Sequence, residues 1–142
     1  MKDREFKKLC RNQPYLSEGY TICTDMPDYN PDFCCNDNGT YLVYESESGS
    51  NKKAHVGAFL EACYAAEKKN ATSLYMFFVQ KEYKKNITVK QLPNYFRPYV
   101  DMMRLKMPNL RIRVLFISDL DFKKLKNRNS SILNMLGQFL PV

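Results

Sequence analysis

Asp37-Asn38-Gly39-Thr40 lies between two stretches of strand-forming residues, Asp32 to Asn36 and Tyr41 to Glu47. Asn-Gly is the preferred centre of a two-residue type I′ turn, because both central positions need positive φ. A hairpin here constrains everything near it, since a two-residue turn sets the register of the strands it joins. Counting outward from Asp37 opposite Thr40, Asn36 faces Tyr41, Cys35 faces Leu42, Cys34 faces Val43, Phe33 faces Tyr44, and Asp32 faces Glu45. Opposed residues share one face of a sheet, and Glu47, two residues beyond Glu45, shares it as well. Asp32, Glu45 and Glu47 are therefore expected to converge at the open end of the hairpin. Like charges so placed repel unless something positive sits among them.

The flanking pattern extends the hairpin into a domain. Lys2 to Asn12 reads as a short helix with Phe6, Leu9 and Cys10 on one face, stopped by Pro14. Gly19 to Thr24 is a candidate strand, and Met26 to Pro31 is a loop by its Pro, Asp and Asn content. Ala54 to Lys69 spaces Val56, Phe59, Leu60, Cys63 and Tyr64 for one buried helical face. Leu74 to Gln80 is a continuous apolar run, suited to a strand buried on both faces. Gln91 to Met107 predicts a second helix interrupted near Pro98, and Leu110 to Ile117 a second parallel strand. The class expected is α/β: a single-domain mixed sheet with an N-terminal helix, a hairpin meander and two helical crossovers. Residues 1–122 would form the core. Residues 123–142, basic and then apolar, would form a tail packing on it or at an interface.

Charge divides the chain more sharply than its net +7 suggests. Residues 1–50 carry five Lys/Arg against nine Asp/Glu, and residues 51–142 carry seventeen against six. No Lys or Arg occurs between Asn12 and Asn51. An acidic patch beside a basic remainder suits metal ions on one side and a polyphosphate partner on the other. Several classes are disfavoured. No apolar run approaches the roughly 20 residues that span a bilayer, so no membrane is expected. No apolar stretch follows Met1, so no signal peptide is read. Five cysteines, with Cys34 and Cys35 adjacent, fit reduced thiols in the cytoplasm better than a disulfide framework. They lack the C-x-x-C spacing of a structural zinc site. The single histidine, His55, reads as a surface residue at a helix start, and it leaves Ser-His-Asp chemistry unsupported. Neither G-x-x-x-x-G-K-[ST] nor G-x-G-x-x-G occurs.

Pro31-Asp32, a short hairpin, an apolar run into Glu45-x-Glu47, then a helix and a buried strand together resemble the restriction-endonuclease-like (PD-(D/E)XK) nuclease superfamily. The likeness covers residues 1–117 by order of elements, and its motif only three or four residues. It implies that Asp32 and Glu45 ligate Mg²⁺, with Mn²⁺ as a possible substitute, assisted by the backbone carbonyl of Ser46. The family's usual lysine position holds Glu47, similar to the E-x-E variant of some restriction enzymes; Lys52 or Lys53 would then supply the lysine. Glu47 would position a water or hold a second ion. Pro27-Asp28 offers another alignment with a longer loop, and Glu5 or Glu18 a further acidic ligand.

The chemistry so implied is metal-assisted phosphodiester hydrolysis. Lys52, Lys53, Lys68, Lys69, Lys81, Lys84 and Lys85 are the densest basic set, expected to grip flanking phosphates. The expected partner is nucleic acid, DNA ahead of RNA, with a homodimer or a guiding protein partner in addition. The alternative is a catalytically inactive module of the same fold that binds nucleic acid or a protein. Ten tyrosines are present, and Tyr15, Tyr20, Tyr29, Tyr41 and Tyr44 crowd the acidic half, where packing is their expected use.

Overall fold

The two-residue turn takes the expected form, with Asn38 at φ 48° and Gly39 at φ 86°. The Gly39 carbonyl accepts hydrogen bonds from the Thr72 amide at 2.9 Å and from the Thr72 hydroxyl at 3.2 Å. The turn is thereby tied to the start of a third strand.

The computed structural model describes residues 3–11, 19–23, 26–47, 52–81, 89–125 and 139–142. Its elements are α1 (Asp3–Arg11), β1 (Thr21–Ile22), β2 (Phe33–Asp37), β3 (Thr40–Glu47), α2 (Lys52–Lys68), β4 (Ser73–Gln80), α3 (Leu92–Lys106), β5 (Arg111–Ser118), α4 (Asp119–Leu125) and β6 (Leu140–Pro141). A single 3-10 turn over Val89–Gln91 leads into α3.

All six strands form one open sheet in the order β1-β2-β3-β4-β5-β6. β1, β2 and β3 run antiparallel in sequence, β3, β4 and β5 are parallel, and β6 returns antiparallel along β5. Parallel neighbours need crossovers, which α2 and α3 provide. Each crossover helix starts at the carboxyl end of one strand and returns the chain to the amino end of the next.

Alternation along the strands divides the interior into two cores, one on each face. Val43, Met76, Phe78 and Phe116 face α2 and α3, where they meet Phe59, Ala62, Ala66 and Phe96. Leu42, Tyr44, Phe77 and Leu115 face the other way, onto Phe6 of α1 and Phe122 of α4. Rings stack across strands in both layers, Tyr44 on Phe77 at 4.5 Å and Phe78 on Phe116 at 5.3 Å. β3 is an interior strand, as its apolar run Tyr41 to Tyr44 requires.

Three features differ from the sequence expectation. β1 is only two residues long. α3 continues through Pro98. The proline removes one amide, whose carbonyl partner would belong to Asn94, an exposed residue that water can serve. The cysteines are not all reduced: Cys23 is bonded to Cys34, with their Cα atoms 5.5 Å apart. The pairing follows from strand alternation, since Cys34 and Cys35 point to opposite faces and only Cys34 lies on the side of Cys23. Cys10, Cys35 and Cys63 are free and buried.

At the chain's end, Phe139 packs on Phe77 at 5.1 Å and Leu140 pairs with Phe116. The boundary drawn after residue 122 falls inside α4. Among the described residues no helix is long and apolar enough to cross a membrane.

Candidate functional site

The hairpin register pairs Phe33 with Tyr44, so the next pair outward is Asp32 and Glu45. The β3–β4 register then sets Glu45 beside Phe78 and Glu47 beside Gln80. Asp32, Glu45, Glu47 and Gln80 thus share the face covered by α2, at the carboxyl ends of the parallel strands, where open α/β sheets place their ligands.

The Ser46 amide donates to Asp32 Oδ2 at 2.8 Å, which holds the Asp32 carboxylate against β3. The carboxyl of Glu45 adjoins that of Asp32 and feels its charge. Tyr29, buried in the loop before β2, donates its hydroxyl to Glu45 Oε1. That loop turns sharply at Asp28, whose φ of 54° is a left-handed conformation Asp adopts more readily than most residues.

Burial pushes Glu45 up to about 8; the Tyr29 hydrogen bond pulls the other way, while Asp32 and Glu47 add to the rise. A neighbouring carboxylate thus favours the protonated form of Glu45. Burial, with Glu45 beside it, likewise raises the Tyr29 phenol well above its ordinary value. Burial also pushes Cys35 and Cys63 up to about 12 and raises Cys10, so the free thiols stay protonated and unreactive.

His55 lies in the first turn of α2, yet it is 1% exposed and not the surface residue its position suggested. Its ring packs at 5.6 Å from Phe78, and its Nε2 lies 2.6 Å from Gln80 Oε1. Gln80 in turn donates from its amide nitrogen to the Lys81 carbonyl at 3.0 Å. The Lys81 amide donates to the Glu47 carbonyl at 2.9 Å, continuing the ladder one residue past β4.

The basic residues separate into two groups. Lys52 and Lys53 open α2 at the carboxylate end, and Lys81 follows β4 at the same end. Lys52 does not enter the acidic cluster; its Nζ stands 5.0 Å over the Tyr95 ring. Lys68 and Lys69 lie at the other end of α2, which at 17 residues is about 25 Å long. Lys68 there pairs with Asp28 at 3.1 Å and covers Tyr64 at 4.8 Å. These two lysines are therefore not brought to the carboxylates, because a helix of that length carries its last turn away from its first. Glu5 is likewise engaged elsewhere, with Lys123 at 3.4 Å. Lys84, Lys85 and Glu18 lie outside the described residues.

The donor set suits a hard cation in part. Mg²⁺ is commonly held by one or two carboxylates, with waters and substrate oxygens completing its shell. Asp32 and Glu45 already adjoin, and the Ser46 backbone borders them. Among the described residues, no group of three His, Cys, Asp or Glu side chains stands ready to hold a metal ion. The arrangement fits a two-carboxylate centre, and Glu47 acts on Glu45 through its charge.

Tyr29 and Gln80 were not among the candidates read from sequence. Gln80 had a usable signal, a polar residue closing a run otherwise suited to full burial. Tyr29 had none, because its reach to Glu45 depends on how a Pro-rich loop folds back. No protein-family model, curated protein or solved structure gives a significant match to this chain.

Proposed function

We propose that the protein is a divalent-metal-dependent nuclease of restriction-endonuclease-like fold, with Asp32 and Glu45 as metal ligands and the Ser46 carbonyl as a third oxygen. The observation that carries this reading is the adjoining carboxyl pair of Asp32 and Glu45 at the carboxyl end of β3, one oriented by the Ser46 amide and the other by the Tyr29 hydroxyl. A half-buried acid pair is costly without a positive partner, and two oxygen ligands beside a basic flank match a phosphodiester. The order α1, antiparallel β1-β2-β3, α2, then β4 parallel to β3 also agrees with that fold.

In this reading Mg²⁺, or Mn²⁺ in its place, supplies an activated water and neutralises charge on the scissile phosphate. The chain's own residues do the rest. The Ser46 amide orients Asp32, and Tyr29 orients Glu45 through one oxygen, leaving the other to bind. Glu47 orients the attacking water. Lys52, Lys53 and Lys81, at the same end of the sheet, hold the flanking phosphates, with DNA favoured over RNA as substrate. His55 and Gln80 hold the start of α2 against the end of β4.

Two observations favour a second reading, a module of the same fold that binds without cutting. Glu47 stands where a lysine is usual in the family, and Lys52 is held over Tyr95. The test is cleavage of single-stranded, duplex and branched DNA and of RNA with Mg²⁺ or Mn²⁺, comparing wild type with Asp32→Ala and Glu45→Ala. Cleavage by wild type that both variants lose supports the nuclease. Salt-sensitive binding with no cleavage by any form supports the module.

A further inference from the structure

We infer that Tyr95, Tyr99 and Lys52 form a stacking subsite for an unpaired base, and that the chain therefore takes single-stranded or frayed nucleic acid. The inference rests on the nucleic-acid reading above but not on cleavage. α2 and α3 are both crossover helices, so both begin where their preceding parallel strands end. That shared origin sets the first turn of α3 beside the first turn of α2, at the carboxylate end of the sheet. Phe96 ties α3 to this end by packing 5.2 Å from Phe78, the lateral neighbour of Glu45.

α3 is anchored by Leu92, Phe96, Val100 and Met103, all buried. Tyr95 and Tyr99 flank that stripe, each packed in part against the core it belongs to. They sit one turn apart along its flank, half-buried, with ring centroids 6.0 Å apart. Lys52 Nζ covers Tyr95 at 5.0 Å, and Arg97 and Lys90 are exposed on the same stretch. Aromatic faces interleaved with cations beside an acidic centre match the chemistry of a strand whose bases stack while its phosphates are neutralised. A duplex would present only base edges and backbone there, which a tyrosine face cannot stack on.

The lysine over Tyr95 does not bar a base. A cation over a ring at the protein surface contributes a few-fold to an equilibrium, whereas base–aromatic stacking contributes about tenfold. The flexible Lys52 stem lets its ammonium move from the ring to the adjoining phosphate as the base arrives.

The experiment is fluorescence anisotropy with a labelled single-stranded oligonucleotide in EDTA, so that binding is read without cleavage. An abasic strand of equal length and a duplex serve as comparisons. Tyr95→Leu is expected to weaken single-strand binding about tenfold, and Tyr95→Phe, which keeps the ring, to restore it within about twofold. The abasic strand should bind wild type about as weakly as the normal strand binds Tyr95→Leu, and should not distinguish the two proteins. Lys52→Ala should lower the slope of log affinity against log salt by about one. Tyr95→Phe guards against a folding defect in the leucine variant. The subsite is overturned if the abasic strand binds wild type as well as the normal one, if Tyr95→Leu binds unchanged, or if wild type binds no single strand. Base-dependent binding with no cleavage under Mg²⁺ or Mn²⁺ would keep the subsite and reject the nuclease; cleavage with no dependence on Tyr95 would do the reverse.

Discussion

His55 Nε2 donates to Gln80 Oε1 over 2.6 Å, in a setting where each residue is only 1% exposed. The direction is settled by the other end of the amide, whose nitrogen donates to the Lys81 carbonyl. A buried polar pair contributes little when intact, but truncating one partner strips the other of its hydrogen bond. His55→Leu and Gln80→Leu should each destabilise by about 1–3 kcal/mol. The double variant should cost clearly less than their sum. Urea unfolding of all four proteins in a double-mutant cycle checks this, and strict additivity would contradict it.

Glu45 makes stability depend on pH in a defined direction. Its folded-state pKa is about 8 against an ordinary value of 4.5, so the native state holds a proton that the unfolded chain has released between those values. Stability from this group is fully present below the unfolded value and is lost as pH rises through the folded one. The urea midpoint in EDTA should therefore fall between pH 5 and pH 8, and Glu45→Gln should flatten that fall. Adding Mg²⁺ or Mn²⁺ at pH 8 should recover wild type but not the glutamine variant, as read by thermal melting.

Gly39 is held by both its φ of 86° and its neighbour. A Cβ there would lie 3.3 Å from Thr72 Oγ1. Gly39→Ala should cost about 1–2 kcal/mol in the unfolding free energy, from the left-handed backbone and the crowding together. A loss confined to a few tenths would mean that the turn relaxes freely away from β4.

The Cys23–Cys34 bond closes a loop with a sequence separation of 11. Chain entropy for a ring of that size corresponds to about 3 kcal/mol. Cys23→Ser should lower the unfolding free energy by about that amount under oxidising conditions, and it should match the wild type measured in reductant. Thiol titration of the denatured, unreduced protein should count three thiols, Cys10, Cys35 and Cys63. Five would show the bond absent.

The parts of this architecture that follow from short-range rules were legible in the chain. Asn38-Gly39 dictated its own turn, and the turn dictated that Asp32 meets Glu45. The run Leu74 to Gln80 reads as a parallel strand because nothing polar interrupts it before Gln80, and Leu110 to Ile117 does so through its apolar half, Val114 to Ile117, although Arg111 and Arg113 are exposed. The failures were all tertiary. His55 looks like a solvent residue at a helix start, and only the return of β4 beneath α2 buries it. Lys68 and Lys69 read with Lys52 and Lys53 as one phosphate-gripping set, but a helix of 17 residues separates the two pairs in space. Cys23 found Cys34 through β1, a strand of two residues too brief to specify its own register. Tyr29 reached Glu45 from a loop that carries no periodicity.

Both rims of the sheet are minimal. β1 has two residues, and so does β6, one of them Pro141. Sheets recruit other chains through long open edges, and proline at a rim withholds the amide such recruitment needs. The apolar strands β3 and β4, which as free edges would invite stacking into aggregates, are enclosed on both sides. Pro141 thus works as a stop: where β6 covers Leu115 and Phe116 of β5, its ring offers no amide on which a second molecule could extend the ladder.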